Sequence, residues 1–227
     1  MVIVGICGAS GSGKSTFCRN IRRRLELPSA VLPLDTYYRD ASHLSPEERR
    51  RLNFDAPESF ELEDYCRDIR ALKAGRSVPR RGYDYVNHCR KDPGGKLRPA
   101  PVLLLEGIHV FYDKRVRALC DLKVFLEVDP DLCLLRRIAR DLRDRGRTIE
   151  DISRQYLSQV KPMFEQHVRP AAQHCDLLVP GGGQNLAAAQ AVAAHILRLA
   201  GAKGKAVHPT SQRQKEAAPS SNPTCGS

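Results

Sequence analysis

Residues 2–16 read VIVGICGASGSGKST, an apolar run that passes into a loop of glycines, serines and one lysine. The apolar half, Val2–Cys7, predicts a strand that is buried on both faces. Positions 8–15 match the pattern G-x-x-x-x-G-K-[ST] in full, and a helix is predicted to follow over Thr16–Leu25. A strand, this loop and a helix in succession predict an α/β fold of the P-loop class.

The glycine-rich loop predicts a nucleotide-binding site. Its glycines allow backbone N–H groups to point inward at phosphate oxygens, next to a helix N-terminus. Lys14 is expected to reach the β- and γ-phosphates, and the Ser15 hydroxyl to bind Mg²⁺. A Gly/Ser-rich turn without a ligand is the alternative, but it does not explain the lysine and the helix start. We therefore expect ATP or GTP as phosphate donor, bound by Gly8, Ala9, Ser10, Gly11, Ser12, Gly13, Lys14, Ser15 and Thr16.

Apolar runs alternate with amphipathic segments along the rest of the chain. Four further runs predict buried strands: Ala30–Leu34, Val102–Leu105, Leu122–Glu127 and Asp176–Val179. The main helices predicted between and after them are Glu61–Ala74, Pro130–Arg143, Thr148–Val168 and Leu186–Leu199. Buried strands that alternate with helices predict a five-stranded parallel sheet flanked by helices.

Two segments depart from this alternation. Val78–Arg90 is polar and aromatic without helical period, and turn residues follow at 92–95, so we predict a β-hairpin insertion. Beyond Gly201 the composition changes to Lys, Pro, Ser, Ala and Gln, with no apolar period. We expect one domain over residues 1–200 and a disordered basic and polar tail over 201–227.

The chain is basic, with 37 Lys and Arg against 26 Asp and Glu and a net charge of +11. Such a balance attracts anions, either nucleic acid or small phosphorylated substrates. Aromatic residues make up only 6% and Trp is absent, so the interleaved basic and aromatic pattern of RNA-binding proteins does not appear. We therefore favour a small phosphorylated substrate over nucleic acid. A nucleotide-dependent nucleic-acid-binding protein is the alternative from a different class.

The compartment is predicted from features that the sequence lacks. No apolar run approaches the roughly 20 residues of a membrane helix, and the opening residues show no export signal. The eight cysteines are scattered singly, without the short spacings of a zinc or redox site. We expect reduced cysteines in a cytoplasmic protein with no membrane partner.

Asp35 lies where the second predicted strand ends, in the segment Leu34–Tyr38. The carboxyl edge of a parallel sheet is where ligands of α/β proteins bind. A carboxylate there can accept the proton of an attacking hydroxyl or help to hold a metal ion. The alternative is that it caps the following turn.

The helix predicted to begin at Pro130 is rich in arginine. At spacings of i, i+4, i+7 and i+11, four arginines are predicted to share one face: Arg136, Arg140, Arg143 and Arg147. A separate apolar stripe is expected to dock the helix: Leu135, Ile138 and Leu142. The alternative is a solvated face with ion pairs such as Arg137–Asp141 and Arg140–Asp144. Two acids cannot neutralise so many arginines, which favours an anion-binding lid.

Five segments follow the glycine-rich loop in a recognisable order: Leu34–Tyr38, Asn53–Phe60, Tyr83–His88, Leu105–Ile108 and Arg136–Arg147. Together with the loop they resemble the uridine kinase (uridine–cytidine kinase) family over residues 2–198. The resemblance implies a P-loop kinase that phosphorylates the 5′-hydroxyl of uridine or cytidine to UMP or CMP, in pyrimidine salvage. The alternative is a kinase of the same fold with another acceptor, such as phosphoribulokinase or pantothenate kinase, which would lack the Tyr83-to-His88 pattern.

The resemblance also implies catalytic roles. Asp35 matches the general base for the 5′-hydroxyl and a neighbour of Mg²⁺, beside the metal ligand Ser15. Glu106 matches the second acidic group near the metal. Arg140 and Arg145 match lid arginines that approach the transferred phosphoryl group.

The other implied residues contact the nucleoside: Asp55, Tyr83, His88, Arg137, Arg147 and Gln155. The aspartate matches the carboxylate that binds the ribose diol; the alternative is that it caps the turn before Pro57. The tyrosine and histidine match the side chains that hold the pyrimidine. Arg137 and Gln155 match further ribose contacts, and Arg147 matches a contact on the base side. Family members are often homotetramers, so a homo-oligomer is expected.

Overall fold

The computed structural model describes residues 1–206 and contains a five-stranded sheet. Its strands, numbered in chain order, are β1 (Val2–Gly8), β2 (Ser29–Pro33), β3 (Val102–Glu106), β4 (Leu122–Glu127) and β5 (Leu177–Pro180). They lie in the order β2-β3-β1-β4-β5, and every neighbouring pair is parallel. The predicted parallel sheet is confirmed, and its order places the carboxyl ends of β1, β2 and β3 side by side.

Helices connect the strands of the described chain. The α-helices are α1 (Lys14–Arg22), α2 (Pro46–Arg51), α3 (Leu62–Lys73), α4 (Lys114–Arg117), α5 (Pro130–Arg145), α6 (Ile149–Gln155), α7 (Lys161–Met163) and α8 (Leu186–Ala206). Two π-helical segments, Tyr156–Val160 and Phe164–Val168, flank α7. Within residues 1–206, no helix combines the length and the apolar character needed to cross a bilayer.

The last helix is longer than the sequence predicts. α8 continues past Leu199 to Ala206, so the first six residues assigned to the tail, 201–206, are helical. Gly201 costs about 1 kcal/mol relative to Ala inside a helix, which is why the sequence at this point resembles a helix end. The remainder of the predicted disordered tail, 207–227, lies outside the described residues.

Apolar side chains cover both faces of the sheet. On one face, Phe17 and Ile21 of α1 pack with Ile196 of α8 against β1, β3 and β4. On the other face, Ile69 and Leu72 of α3 belong to a second buried cluster. Each of these fully buried side chains contributes about 1.5–3 kcal/mol to folding. The packed sheet is therefore a firm support for the loops at its carboxyl edge.

The predicted hairpin insertion is confirmed and extends beyond residue 90. Two short antiparallel ladders build it: Gly82–Asp84 with Cys89–Lys91, and Val78–Pro79 with Lys96–Leu97. The Asp84 carboxylate closes the inner turn, because it accepts hydrogen bonds from the N–H groups of Val86 (2.9 Å) and Asn87 (3.0 Å). The turn leaves His88 in the left-handed region, with φ 52°.

Arg81 fastens the hairpin to α3. Its guanidinium lies 3.1 Å from Asp64 and 3.3 Å from Asp68, and its Cζ lies 4.6 Å from the centre of the Tyr37 ring. The buried Asp68 also accepts a hydrogen bond of 2.9 Å from the Tyr37 hydroxyl. Tyr37 ends the short 3₁₀ turn that carries Asp35. The contacts of Arg81 and Asp68 therefore hold both the hairpin and the turn of Asp35 against α3.

The helix α5 buries a different face from the one that its leucines predict. Leu135 is 63% exposed and Leu142 is 41% exposed, so the predicted docking stripe is wrong. The buried residues of α5 are Cys133, Arg137 and Asp141, which are spaced four apart. Arg137 Nε lies 3.6 Å from Asp141 Oδ2, and a paired charge tolerates a burial that a lone charge would not.

The C-terminus of α5 also differs from the prediction. Gly146 caps the helix in the left-handed conformation, with φ 60° and ψ 29°. Arg147 therefore lies beyond the helix, and the prediction that it continues the helical face of Arg136 and Arg140 is wrong.

Candidate active site

The loop between β1 and α1 curls around the side chain of Lys14. Lys14 Nζ donates hydrogen bonds to the carbonyl oxygens of Gly8 (3.0 Å) and Ala9 (2.8 Å). Gly13 caps α1 with φ 88°, and a Cβ at this position would lie 2.9 Å from the backbone nitrogen of Gly183. A curled loop that leads into a helix N-terminus is the backbone arrangement that binds phosphate.

Three oxygen-bearing side chains meet beside this loop. Ser15 lies in the first turn of α1, and its hydroxyl donates a 3.1 Å hydrogen bond to Glu106 Oε1 at the end of β3. Asp35 follows β2, the strand next to β3. Asp35 Oδ1 and Glu106 Oε2 are buried without a hydrogen-bond partner, and burial raises the pKa of Glu106. Two half-buried carboxylates, each with one buried oxygen, and a hydroxyl fit Mg²⁺, which takes oxygen ligands and keeps several waters.

A cleft along the phosphate loop provides space for a nucleotide. Six of the nine predicted nucleotide-binding residues line it: Ser10, Gly11, Gly13, Lys14, Ser15 and Thr16. The other three, Gly8, Ala9 and Ser12, do not line it, and Ser12 is fully buried. We call this space the donor cleft.

A second cleft, the acceptor cleft, adjoins the first and encloses about 520 Å³ including its open mouth. All six residues predicted to contact the nucleoside line it: Asp55, Tyr83, His88, Arg137, Arg147 and Gln155. Four residues line both clefts: Ser10, Asp35, Ile108 and Arg140. Asp35 and Arg140 therefore lie at the junction where a group would pass from one cleft to the other.

Asp55 is buried in the wall of the acceptor cleft. Arg137 Nη1 lies 3.8 Å from its Oδ1 atom; burial raises the pKa of Asp55, and the arginine opposes that rise. Asn53, rather than Asp55, caps the turn before Pro57, because its Oδ1 accepts a 3.1 Å hydrogen bond from the Asp55 N–H group. Within the described residues, no hydrogen bond ties the Asp55 carboxylate to that turn, so the turn-capping alternative has no support here.

His88 and Tyr83 come from the hairpin to the same cleft. The His88 ring stacks on Phe54 with centroids 4.2 Å apart, and its Nε2 lies 3.3 Å from Arg147 Nη2. Burial, together with the Arg147 cation, lowers the pKa of His88 to about 4, so the ring is neutral at pH 7. The Tyr83 hydroxyl is buried without a hydrogen-bond partner. A neutral imidazole and a phenol can each donate or accept a hydrogen bond.

Arg137 links the acceptor cleft to the phosphate loop. It donates to Ser10 Oγ at 2.9 Å and to Gln155 Oε1 at 3.0 Å. Arg147 donates to the same amide oxygen of Gln155. The two clefts are thus joined by one hydrogen-bond network as well as by their shared walls.

The two predicted lid arginines lie in different places. Arg140 lines both clefts, whereas Arg145 lines the acceptor cleft, where its Cζ lies 4.7 Å from the centre of the Tyr85 ring. Arg145 Nη1 lies 3.4 Å from Asp141. Burial and the neighbouring Arg140 cation lower the pKa of Arg145. Both side chains nevertheless present positive charge to the space around Asp35.

Sequence reasoning missed part of each cleft. The acceptor cleft is also lined by Tyr38, Phe54, Tyr85 and Ile108, and the donor cleft by Arg19, Asp144, Gly183 and Gln184. Arg136 and Arg143, which were predicted to share the anion-binding face of α5, line the donor cleft as well. The aromatic residues lie inside the segments that carry the family resemblance, so the sequence could have indicated them. Tyr38, Phe54 and Tyr85 come from three separate segments, however, and only the fold brings them to one cleft.

The run Gly181-Gly182-Gly183 is a sequence feature that could have indicated a close backbone contact at the donor cleft. Gly183 N–H donates to Ser12 O at 3.1 Å, and Gly183 O accepts from Asn20 Nδ2 at 2.9 Å. Gly182 has φ 68°, and a Cβ there would collide with Ser12 O. The glycines allow this turn to lie directly on the phosphate loop, which brings Gln184 into the donor cleft.

Comparisons with known proteins agree with this architecture. The Phosphoribulokinase / Uridine kinase family profile matches residues 3–188. A uridine kinase from Leuconostoc citreum (strain KM20) is 42% identical over 190 residues, covering 82% of this chain and 90% of that protein. A uridine kinase from Vibrio cholerae is 40% identical over 203 residues, covering 87% and 95%.

Solved structures share the fold at lower identity. Phosphoribulokinase from Rhodobacter spheroides superposes with a TM-score of 0.58 at 21% identity, over 79% of this chain and 69% of that one. D-glycerate 3-kinase from Cryptococcus neoformans superposes with a TM-score of 0.54 at 15% identity, over 72% and 78%. The fold of these structures is that of P-loop kinases, and the profile match together with the uridine kinase relatives shows that the chain belongs to the Phosphoribulokinase / Uridine kinase family.

Proposed function

We propose that this protein transfers the γ-phosphoryl group of ATP to the 5′-hydroxyl of uridine, and also of cytidine. The observation that carries the proposal is the junction of the two clefts, where Asp35 and Arg140 line both. The donor cleft along the phosphate-binding loop lies on one side of this junction, and the acceptor cleft lies on the other. The relatives named uridine kinase, at 40–42% identity, support this acceptor.

The residues around the junction divide the work of phosphoryl transfer. Asp35 accepts the proton of the attacking hydroxyl, because its buried Oδ1 has no competing donor. Lys14 neutralises charge between the β- and γ-phosphates, and Arg140 and Arg145 neutralise the transferred group. Ser15, Asp35 and Glu106 would hold Mg²⁺. When bound, the ion would offset the negative charge of the phosphates.

The acceptor cleft would hold a ribonucleoside in one orientation. Asp55 would accept hydrogen bonds from both ribose hydroxyls, with Arg137 and Gln155 beside it. Tyr83 and His88 would contact the pyrimidine. Arg147, which lies next to His88, would make a further contact on the base side of the nucleoside. We expect a purine base to clash with the pocket that Tyr83 and His88 form.

The substrate range tests the proposed function. With ATP and Mg²⁺, we expect release of ADP with uridine and with cytidine, and none above background with adenosine or guanosine. Ribulose 5-phosphate and pantothenate serve as acceptors of other kinases of this fold. Efficient turnover of adenosine or of either comparison substrate, measured by a coupled ADP assay, would contradict the acceptor that we propose.

Asp55 is expected to give the enzyme its preference for ribose. A 2′,3′-diol offers two donors to one carboxylate, whereas a 2′-deoxyribose offers one and leaves an acceptor unpaired. A hydrogen bond to a charged group contributes about 1.5–3 kcal/mol, so wild-type kcat/KM for uridine should exceed that for 2′-deoxyuridine by about 10- to 100-fold. In Asp55→Ala the ratio should fall close to one.

The control for this prediction is Asp84→Ala. Asp84 lies on the hairpin but does not line the acceptor cleft, so this variant should keep the wild-type ratio even if the hairpin loosens. An unchanged ratio in Asp55→Ala would show that sugar selectivity resides elsewhere in the cleft.

We further propose a cytoplasmic homo-oligomer that acts on a small molecule rather than on nucleic acid or a membrane. Unpaired cysteines in the described chain fit a reducing compartment. The arginines that supply positive charge to the site line a cleft rather than an open surface. One side of α5 exposes apolar residues at the spacing of a helix–helix contact, which fits an interface between copies: Leu132, Leu135, Ala139 and Leu142.

A further inference from the structure

Asp141 is a fully buried carboxylate that three arginines surround. Its relative exposure is 0%. Arg140 Nε lies 2.8 Å and Arg145 Nη1 3.4 Å from its Oδ1 atom, and Arg137 Nε lies 3.6 Å from its Oδ2 atom. Its three partners are the arginines of α5 that line the acceptor cleft.

Helix geometry explains how one carboxylate reaches all three. Arg137, Asp141 and Arg145 are spaced four apart and therefore lie on one side of α5, while Arg140 is adjacent in sequence. From this shared contact the arginines diverge. Arg137 continues to Ser10, Arg140 reaches the junction of the clefts, and Arg145 lies over Tyr85 in the acceptor cleft.

The charge balance around Asp141 is incomplete. One carboxylate faces three cations, and its Oδ2 atom and Arg137 Nε are both buried without a hydrogen bond. Asp55, 3.8 Å from Arg137, and Asp35 add two negative charges at the acceptor cleft, and Arg147 adds a fourth positive charge. Four arginines therefore face three carboxylates, which leaves an excess of positive charge. An ion pair that served only to stabilise the fold would be matched, because unpaired buried charge is costly.

We propose that Asp141 is the positioning residue of the arginine lid: it fixes Arg137, Arg140 and Arg145 at the two clefts and, by partly neutralising them, sets how strongly the site attracts anions. The kinetic half of this proposal rests on the proposed phosphoryl transfer, whereas the anion-binding half does not. With the carboxylate in place, the arginines point at the reacting groups but hold a free anion only weakly. Without it, they lose their common anchor and gain net charge.

The test compares Asp141→Asn with wild type and with Glu165→Gln. The control removes one charge from an exposed i,i+4 ion pair with Arg169, outside both clefts. In Asp141→Asn, kcat with uridine should fall about 10²-fold per folded enzyme, the scale of a displacement of about 1 Å in a reacting group. The affinity for inorganic pyrophosphate, measured by calorimetry without Mg²⁺, should rise at least about threefold, because a negative charge near the anion is gone. Glu165→Gln should change neither quantity.

A second variant separates position from charge. Asp141→Glu keeps the charge but moves the carboxylate by one methylene, so kcat should fall while the affinity for pyrophosphate stays within about twofold of wild type. An affinity for pyrophosphate in Asp141→Asn that is unchanged or weaker would overturn the proposal, as would a wild-type kcat in that variant. If Asp141→Asn does not fold, a wild-type kcat in Asp141→Glu overturns it. If wild type phosphorylates no nucleoside, the proposed function fails, and the pyrophosphate titration still decides the role of the charge.

Discussion

Asp35→Asn is expected to lower kcat for uridine by about 10²- to 10⁴-fold, the range that general-base catalysis supplies. The amide has nearly the same shape as the carboxylate, but it cannot accept the proton of the 5′-hydroxyl and is a poor ligand for Mg²⁺. The melting temperature should not fall, because Asp35 Oδ1 is buried without a hydrogen-bond partner among the described residues. Removing a buried unpaired charge costs the fold little or stabilises it.

Steady-state kinetics over a series of Mg²⁺ concentrations would separate the two roles of Asp35. If the residue acts mainly through the metal, excess Mg²⁺ should recover part of the loss, whereas a missing proton acceptor cannot be replaced in this way. Asp92→Asn is a matched control, because Asp92 lies on the exposed turn of the insertion and its Oδ1 only accepts a hydrogen bond from Gly94. A near-normal kcat in Asp35→Asn would remove this residue from the chemistry.

The parts of the fold that depend on local pattern were predictable from the sequence. Val2–Gly8 is apolar throughout because both of its faces are covered, and the loop after it carries its own signature. Asp35 could be named because it follows a predicted strand at the carboxyl edge of the sheet, whereas Glu106 was named only through the family resemblance. The fold then places the ends of their strands, β2 and β3, next to each other. The start of α2 likewise depends on local sequence, since the side chains of Ser45 and Glu48 each accept a hydrogen bond from the other's backbone N–H group.

The orientation of α5 was not predictable in this way. Hydrophobic pattern alone favours burial of Leu135 and Leu142, but the protein buries Arg137 and Asp141 instead. The choice depends on partners far away in sequence: Ser10 accepts from Arg137 across 127 positions, and Asp55 lies beside it. A pattern of apolar residues carries no information about contacts that form only when distant segments meet. The sequence alone therefore does not indicate that α5 buries a polar face.

Lys14→Ala is expected to lower kcat/KM for ATP by about 10²- to 10³-fold, the loss that follows removal of one preorganised donor from charge that develops in a transition state. Lys14 begins α1 at the end of the loop, and among the described residues no other lysine lines the donor cleft. Its Nζ donates to Gly8 O and Ala9 O, so the side chain lies along the loop where phosphates are expected to bind. Little reorganisation is needed when ATP arrives.

The same contacts allow the effect on chemistry to be separated from an effect on stability. Lys14→Ala loses two hydrogen bonds to carbonyl oxygens, and alanine has the highest helix propensity at the start of α1, so the melting temperature should change by no more than a few degrees. Lys73→Ala, on the exposed last turn of α3, is the control for loss of a lysine and should keep wild-type kinetics.

The decisive comparison is between the affinity for ADP and the turnover number kcat. If Lys14 acts mainly on the transferring group, Lys14→Ala should bind ADP nearly as well as wild type while its kcat falls. An equal loss of ADP affinity and of kcat/KM would instead place its contribution in ground-state binding of the β-phosphate.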